Sequence, residues 1–293
     1  MLTPSCVDRF FLLAPALLLL ATFGIAFAVY GALCIGGHAP KVTGVKHNQL
    51  FGPFFARFLV WLLGPLERLL LGRVSPNAIT ALSLALCMLT GLAAGLGHLA
   101  GAVWLFAFAG IADVLDGRLA RLGGKQTAAG ALFDSVSDRW GELCAFAGYA
   151  WFIHDSPWLF AALAAIGGSM MVSYTRARAE GLGVALTGGL MQRAERVVLV
   201  SAGTLLAAWY GAEPDDADLI VPIVGGTLLA CGVASIATAI GRWVLAYRVL
   251  SRRVAPPPIA RSVLGEPESI GSLATPPQGT PVPVRSFVKL SPR

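Results

Sequence analysis

Residues 113–138 read DVLDGRLARLGGKQTAAGALFDSVSD, and its four aspartates, Asp113, Asp116, Asp134 and Asp138, decide how the rest of the chain is read. Apolar runs enter and leave this segment on both sides, so the acids stand at the ends of two consecutive membrane-type helices. An ionised side chain in hydrocarbon costs at least ~2.5–3.5 kcal/mol on insertion scales. Four of them would repel one another strongly unless cations held them. Asp113 and Asp116 are spaced i, i+3 and share a helix face; Asp134 and Asp138 are spaced i, i+4 and share another. A short turn makes the two helices antiparallel neighbours, so the two acidic faces can meet. Carboxylates offer only oxygen donors, which suits magnesium or manganese rather than zinc. Gly117 lies one turn beyond Asp113 and Gly130 one turn before Asp134, each leaving bare backbone where a phosphate can approach. Two hard cations ~3.5–4 Å apart stabilise both attacking and leaving oxygens of an in-line displacement. The segment therefore predicts phosphoryl-group chemistry at one membrane face. The alternative, structural pairing of the acids with Arg118, Arg121 or Arg139, supplies too little compensation for four carboxylates.

Outside this segment the composition is that of a membrane protein. Of 293 residues, 56% are hydrophobic and 13% charged, against about 25% charged in soluble domains, and the mean hydropathy is +0.71. Continuous apolar runs of spanning length argue for helices, because the bilayer admits only helices or closed barrels. Spans are expected near 10–35, 78–98, 101–122, 127–153, 157–179, 193–210 and 219–247. The first run exceeds the ~7–15-residue core of a signal peptide and is read as a retained helix, with a cleaved signal as the alternative. Residues 51–73 mix aromatics and leucines with Arg57, Arg68 and Arg73, as in a helix lying on the membrane surface; Pro65 is expected to break it. Ser75-Pro76-Asn77 is a helix-start signal. Nine of the 18 prolines fall in residues 254–293, which reads as a disordered tail. The expected architecture is an all-α integral membrane protein. Residues 1–50 hold an extra N-terminal transmembrane helix and linker, 51–74 an interfacial amphipathic helix, and 75–253 a six-helix transmembrane bundle, with the tail at 254–293.

The net charge is +6, but the cations cap apolar runs and form no nucleic-acid patch. Arg118, Arg121 and Lys125 flank one loop; Arg176, Arg178, Arg193 and Arg196 flank another; Arg248, Arg252 and Arg253 follow the last helix. The alternate loops carry His154-Asp155 and the acids Glu213, Asp215, Asp216 and Asp218. The positive-inside rule puts the basic loops, and so the acid cluster, in the cytoplasm. A multi-pass protein of the cytoplasmic membrane is expected. The five cysteines are scattered without a CxxC pair and suggest neither disulfide framework nor zinc site. His38, His47, His98 and His154 form no ligand spacing.

Residues 113–138 match, position by position, the pattern D-x2-D-G-x2-A-R-x8-G-x3-D-x3-D, and on it the chain resembles the CDP-alcohol phosphotransferase family. The likeness runs from about Ser75 to Arg253. It implies a homodimer of six-helix bundles with two divalent cations, Mg2+ or Mn2+, between the second and third helices. Asp113, Asp116, Asp134 and Asp138 would be the metal ligands, with Asp138 also the general base. Gly117, Ala120, Arg121 and Gly130 would shape the CDP pocket, and Asn77 and Thr80, beside Pro76, would touch the nucleotide. The implied reaction, a step of phospholipid biosynthesis, transfers the substituted phosphate of a CDP-alcohol such as CDP-diacylglycerol to a hydroxyl, releasing CMP.

For the acceptor, the segments 173–180 and 192–196 place Arg176, Arg193 and Arg196 at cytoplasmic helix ends, where arginine suits a bidentate grip on phosphate; positive-inside anchoring is the alternative. These segments are similar to those of phosphatidylinositol phosphate synthases and related archaeal ether-lipid enzymes, with Arg176 where lysine is usual. A polyol phosphate is expected, inositol phosphate ahead of glycerol 3-phosphate. A transporter would instead put its acids near mid-membrane on broken helices. An aspartate-rich prenyltransferase would separate its acidic motifs widely, and a catalytically dead scaffold would not need all four acids.

Overall fold

Local chemistry sets where the helices begin. Ser75 is an N-cap whose hydroxyl accepts from the Ala78 N–H at 3.2 Å, and Pro76 takes the first helical position, where the missing N–H has no helical partner to lose. Thr127 caps the acid-bearing helix in the same way, accepting from the Gly130 N–H at 3.0 Å. In the turn before it, Gly124 sits at φ +62°, a conformation that side chains with a Cβ resist.

The computed structural model describes residues 6–36, 52–186, 188–211 and 214–252. Its helices are α1 (Cys6–Ile35), α2 (Gly52–Leu70), α3 (Pro76–Gly95), α4 (Leu99–Leu122), α5 (Ala128–Phe152), α6 (Leu159–Gly181), α7 (Arg193–Tyr210) and α8 (Ile220–Ser251), with a 3-10 turn at Pro214–Leu219. The linker with Lys41 and Lys46, His38, His47 and the proline-rich tail lie outside the described residues. Contrary to expectation, Pro65 does not break α2, which is helical through it. The proline forfeits one helical N–H bond and its ring crowds the carbonyl one turn back, but Leu63 and Leu70 on either side of it pack on the bundle and hold α2 helical.

Six helices form a closed ring. α3 packs on α5 and α4, α4 on α7, α7 on α8, α8 on α6, and α6 back on α5. The α3–α5 seam brings backbone against backbone. A Cβ on Gly148 would collide with the backbone of Gly91, and one on Gly91 with the Cys144 carbonyl. The α6–α8 seam repeats the device with Gly168 and Gly232: a Cβ on Gly232 would come within 2.8 Å of the Ala164–Ala165 backbone. Small residues at such seams allow the close packing that drives helix association in lipid. Phe106, Phe146, Tyr149 and Val200 fill the interior.

Polarity is distributed inside out. Leu82, Leu89, Phe108, Phe160, Val233 and Ile240 are exposed on the outer faces, while Asp116, Glu142, Arg196 and Arg242 are buried. Only α3, α4 and the segment 217–251 are, among the described residues, long and apolar enough to cross a membrane by composition. α5, α6 and α7 also reach spanning length, at 25, 23 and 18 residues. Their average hydropathy is lowered by the charged residues they carry, several of which turn inward.

α2 is fastened to the bundle at the acid-bearing end. Leu63 and Leu70 pack with Ile79, Leu115 and Leu119, and buried Glu67 pairs with buried Arg118 of α4, the second contact of the pair at 3.0 Å. On its other face Phe58 and Trp61 meet Phe27 and Tyr30 of α1 in edge-on and tilted ring contacts.

Candidate active site

The last three turns of α4 and the first three turns of α5 carry the signature acids. Asp113, Asp116 and Asp134 each present a carboxylate oxygen, all within 4.8 Å of one another. Asp116 is buried and accepts from the Thr80 hydroxyl at 2.6 Å, a bond that reaches across from α3. Three hard oxygen donors this close fit a divalent cation, and no softer ligand intrudes. Asp138 stands one turn further along α5. Its carboxylate and that of Asp113 both accept from the same nitrogen of Arg193, Nη1, which arrives from the start of α7.

Beside the acids opens a cleft of about 260 Å³. Its lining brings together Asn77, Thr80, Gly117, Ala120, Arg121 and Gly130, with Asp116 and Asp134 at its metal-facing side. The glycines have measurable neighbours here. A Cβ on Gly130 would sit 3.3 Å from Asn77 Oδ1, and one on Gly117 would sit 3.2 Å from an Arg121 guanidinium nitrogen. Both positions thus leave space beside polar groups that face the cleft. Lys125, Gln126 and Thr127 also line it; sequence reasoning missed them as ligands, although Gly-Gly-Lys-Gln-Thr between two acid-bearing helices is a signal for a phosphate-facing loop.

The three arginines expected to meet an acceptor phosphate part company. Arg176 is half exposed and pairs with Glu180 one turn on, at 2.8 Å. Arg193 lies on the acids. Arg196 departs from expectation: it is buried and spends its Nε and Nη2 on Glu142, at 2.6–2.9 Å, and its Nη1 on the Met191 carbonyl at 3.0 Å. A direct phosphate grip would break a buried bidentate pair, so this arginine acts as a brace between α5 and α7. Arg242 of α8, which sequence reasoning passed over, is buried. It pins the loop before α7 through the Gly188 carbonyl at 2.7 and 3.1 Å and α6 through the Val172 carbonyl at 3.0 Å. Gly189 follows at φ +132°, where a Cβ would meet Thr238 at 2.6 Å. Of the alternative partners for the acids, Arg118 goes to Glu67, and Arg139 folds back on Ser135 of its own helix.

An all-helical membrane bundle that gathers oxygen ligands at one end, beside a polar cleft, defines a class of membrane protein built to hold divalent ions and an anionic ligand. Residues 73–252 match the CDP-alcohol phosphatidyltransferase family, and the chain belongs to it. Among its relatives, the phosphatidylinositol phosphate synthase of Mycobacteroides abscessus is 37% identical over 116 residues, 38% of this chain and 51% of that protein. The archaetidylinositol phosphate synthase of Methanothermobacter thermautotrophicus is 37% identical over 139 residues, 45% of this chain and 69% of that protein. Matches to the curated synthases of M. abscessus and Mycolicibacterium smegmatis span about half of those proteins' length. The crystal structure of Mycobacterium tuberculosis phosphatidylinositol phosphate synthase with CDP-DAG bound superposes with a TM-score of 0.56 at 27% identity, covering 64% of this chain and 94% of that one. The same enzyme in complex with manganese and citrate superposes at 0.54 and 29% identity, covering 62% and 88%.

Proposed function

We propose that the chain transfers the substituted phosphate of a CDP-alcohol, CDP-diacylglycerol in the first instance, to a hydroxyl of a polyol phosphate, with inositol phosphate as the favoured acceptor, and releases CMP. The observation that carries this is the cleft. Six side chains and glycines assigned to the nucleotide line one cavity with two of the cluster's carboxylates, as a diphosphate bridging metal and cytidine sites requires. The relatives named for inositol phosphate chemistry and the neighbour with CDP-DAG bound support the choice of substrates.

Asp113, Asp116, Asp134 and Asp138 are the residues that would hold two divalent cations, Mg2+ or Mn2+; the neighbour in complex with manganese supports this. Bound there, the cations supply charge neutralisation at the diphosphate and at the departing oxygen. The chain's own groups do the rest. Thr80 orients Asp116 through its 2.6 Å hydrogen bond. Arg121 and Lys125 border the cleft with positive charge for the diphosphate. Asp138 takes the proton of the acceptor hydroxyl as its oxygen forms a bond to the phosphorus bearing the lipid alcohol. The bond from that phosphorus to the bridging oxygen breaks, and CMP departs with the electron pair. The half-exposed guanidinium of Arg176 offers the charge for the acceptor's own phosphate.

The enzyme is proposed to work as a homodimer in the cytoplasmic membrane with the cleft facing the cytoplasm. The basic loops flanking the acid-bearing end support that orientation. The test is Mg2+-dependent CMP release from CDP-diacylglycerol by the reconstituted protein, offered inositol phosphate, glycerol 3-phosphate, inositol and serine in turn. The expected result is turnover with inositol phosphate well above the others. A preference for glycerol 3-phosphate would move the acceptor assignment, and no CMP with any acceptor from folded protein would remove the proposed reaction.

A further inference from the structure

The guanidinium of Arg193 occupies an unusual place among its own kind. One nitrogen, Nη1, contacts both Asp113 and Asp138. The other terminal nitrogen finds only the Cys87 sulfur, at 4.0 Å, and the buried Nε–H has no hydrogen-bond partner. Compare Arg196 three residues later, whose nitrogens are all engaged by Glu142 and a carbonyl. Arg193 is therefore held by charge at one atom rather than by a matched set of hydrogen bonds, which is how a permanent guanidinium–carboxylate pair is normally built. Its two partners are also not equivalent. Asp113 belongs to the close trio with Asp116 and Asp134, whereas Asp138 joins the cluster through Arg193.

We propose that Arg193 is a displaceable internal cation that competes with the second of two divalent ions for the Asp113–Asp138 pair. This rests on the reading of the acids as a two-metal site. The trio Asp113, Asp116 and Asp134 loads first, because Arg193 touches one of its three carboxylates but bridges both members of the Asp113–Asp138 pair. The second ion binds only as Arg193 gives up its contacts, since a guanidinium and a divalent ion cannot both sit between the same two carboxylate oxygens. The arginine keeps the acid pair from bare repulsion before loading, and it lowers the affinity for the second ion below that for the first. Loading is thereby ordered by a side chain.

The test uses the full-length chain in detergent with Mn2+ as the probe, free Mn2+ being followed by electron paramagnetic resonance and heats by titration calorimetry. Wild type is expected to bind two Mn2+ per chain in a tighter and a weaker step. Arg193→Gln should tighten the weaker step by about tenfold or more, the scale on which groups around metal ligands tune affinity, and leave the tighter step close to wild type. An unchanged or looser weaker step in that variant overturns the proposal. Should Arg193→Gln fail to fold, Arg193→Lys carries the test. A compact ammonium bridges two carboxylates less well than a guanidinium, so the weaker step should tighten by about threefold, and no change overturns the proposal. Wild type that binds no Mn2+ saturably overturns both this proposal and the two-metal reading beneath it. Two Mn2+ in wild type with unaltered arginine variants overturns this one alone.

Discussion

Asp138 must satisfy two demands at once: it neutralises Arg193 across the bundle, and as the proposed base it has to take a proton from the acceptor. Asp138→Asn keeps the shape and most hydrogen-bonding capacity while removing the basic oxygen. Turnover in the CMP-release assay should fall by about 10²–10⁴-fold, the usual contribution of a positioned base, with the KM for CDP-diacylglycerol changed far less because the cleft lining omits Asp138. Wild-type turnover in that variant would remove its role. At this scale the sequence is informative about identity and weak about partners. The i, i+3 and i, i+4 spacings brought the acids onto facing turns. Arg193, by contrast, meets Asp113 across 80 residues and Asp138 across 55, and Glu142 meets Arg196 across 54. No local period encodes such pairings, so Arg196 reads as a phosphate ligand until its neighbour is seen. Thr80 is a half-way case. The family resemblance of its helix implies a contact with the nucleotide, while its bond to Asp116 is visible only once α3 and α4 are packed.

Among the elements, α2 has the most to say about coupling. Its Glu67 is buried against Arg118, which is flanked in sequence by Gly117 of the cleft. Removing one partner of such a pair strands a buried charge at a cost of about 3–5 kcal/mol, whereas replacing both with apolar residues can be nearly neutral. Glu67→Gln should therefore lower the unfolding midpoint in detergent clearly, and the double variant Glu67→Leu/Arg118→Leu should lie closer to wild type. A single variant no less stable than the double would show that the pair does not fasten α2. The start of α3 was legible because Ser75 is an N-cap followed by Pro76, whereas the cap that Thr127 gives α5 shows only in the structure. Helix continuity was less so: Pro65 announces a break that external packing overrides. Hydropathy alone also undercounts the ring, because α5, α6 and α7 carry the very charges that make the interior polar.

For the molecule as a whole, the decisive quantity is which side of the bilayer holds the acids. Single cysteines at Lys125 and at Asp155, in a background lacking the native cysteines, should react with a membrane-impermeant thiol reagent from opposite sides, Lys125→Cys from the cytoplasm and Asp155→Cys from without. Labelling of both from one side would overturn the alternating arrangement of α4, α5 and α6. The overall fold was readable because loop charge and run length constrain topology; ring closure was not, since nothing in the chain order says that α6 and α7 meet through α8. That closure has a consequence for biogenesis. The cleft lining is complete once α3, α4, α5 and the turn before α5 are made, whereas the loop leading to Arg193 gains two of its ties from α8: Thr238, which accepts from the Met191 N–H at 3.1 Å, and Arg242. Both residues lie on α8, which leaves the ribosome after the helices that line the cleft. A nascent chain halted before α8 would thus carry the lined cleft but lack those two ties, and the proposed activity would be completed late in synthesis rather than accrue along it.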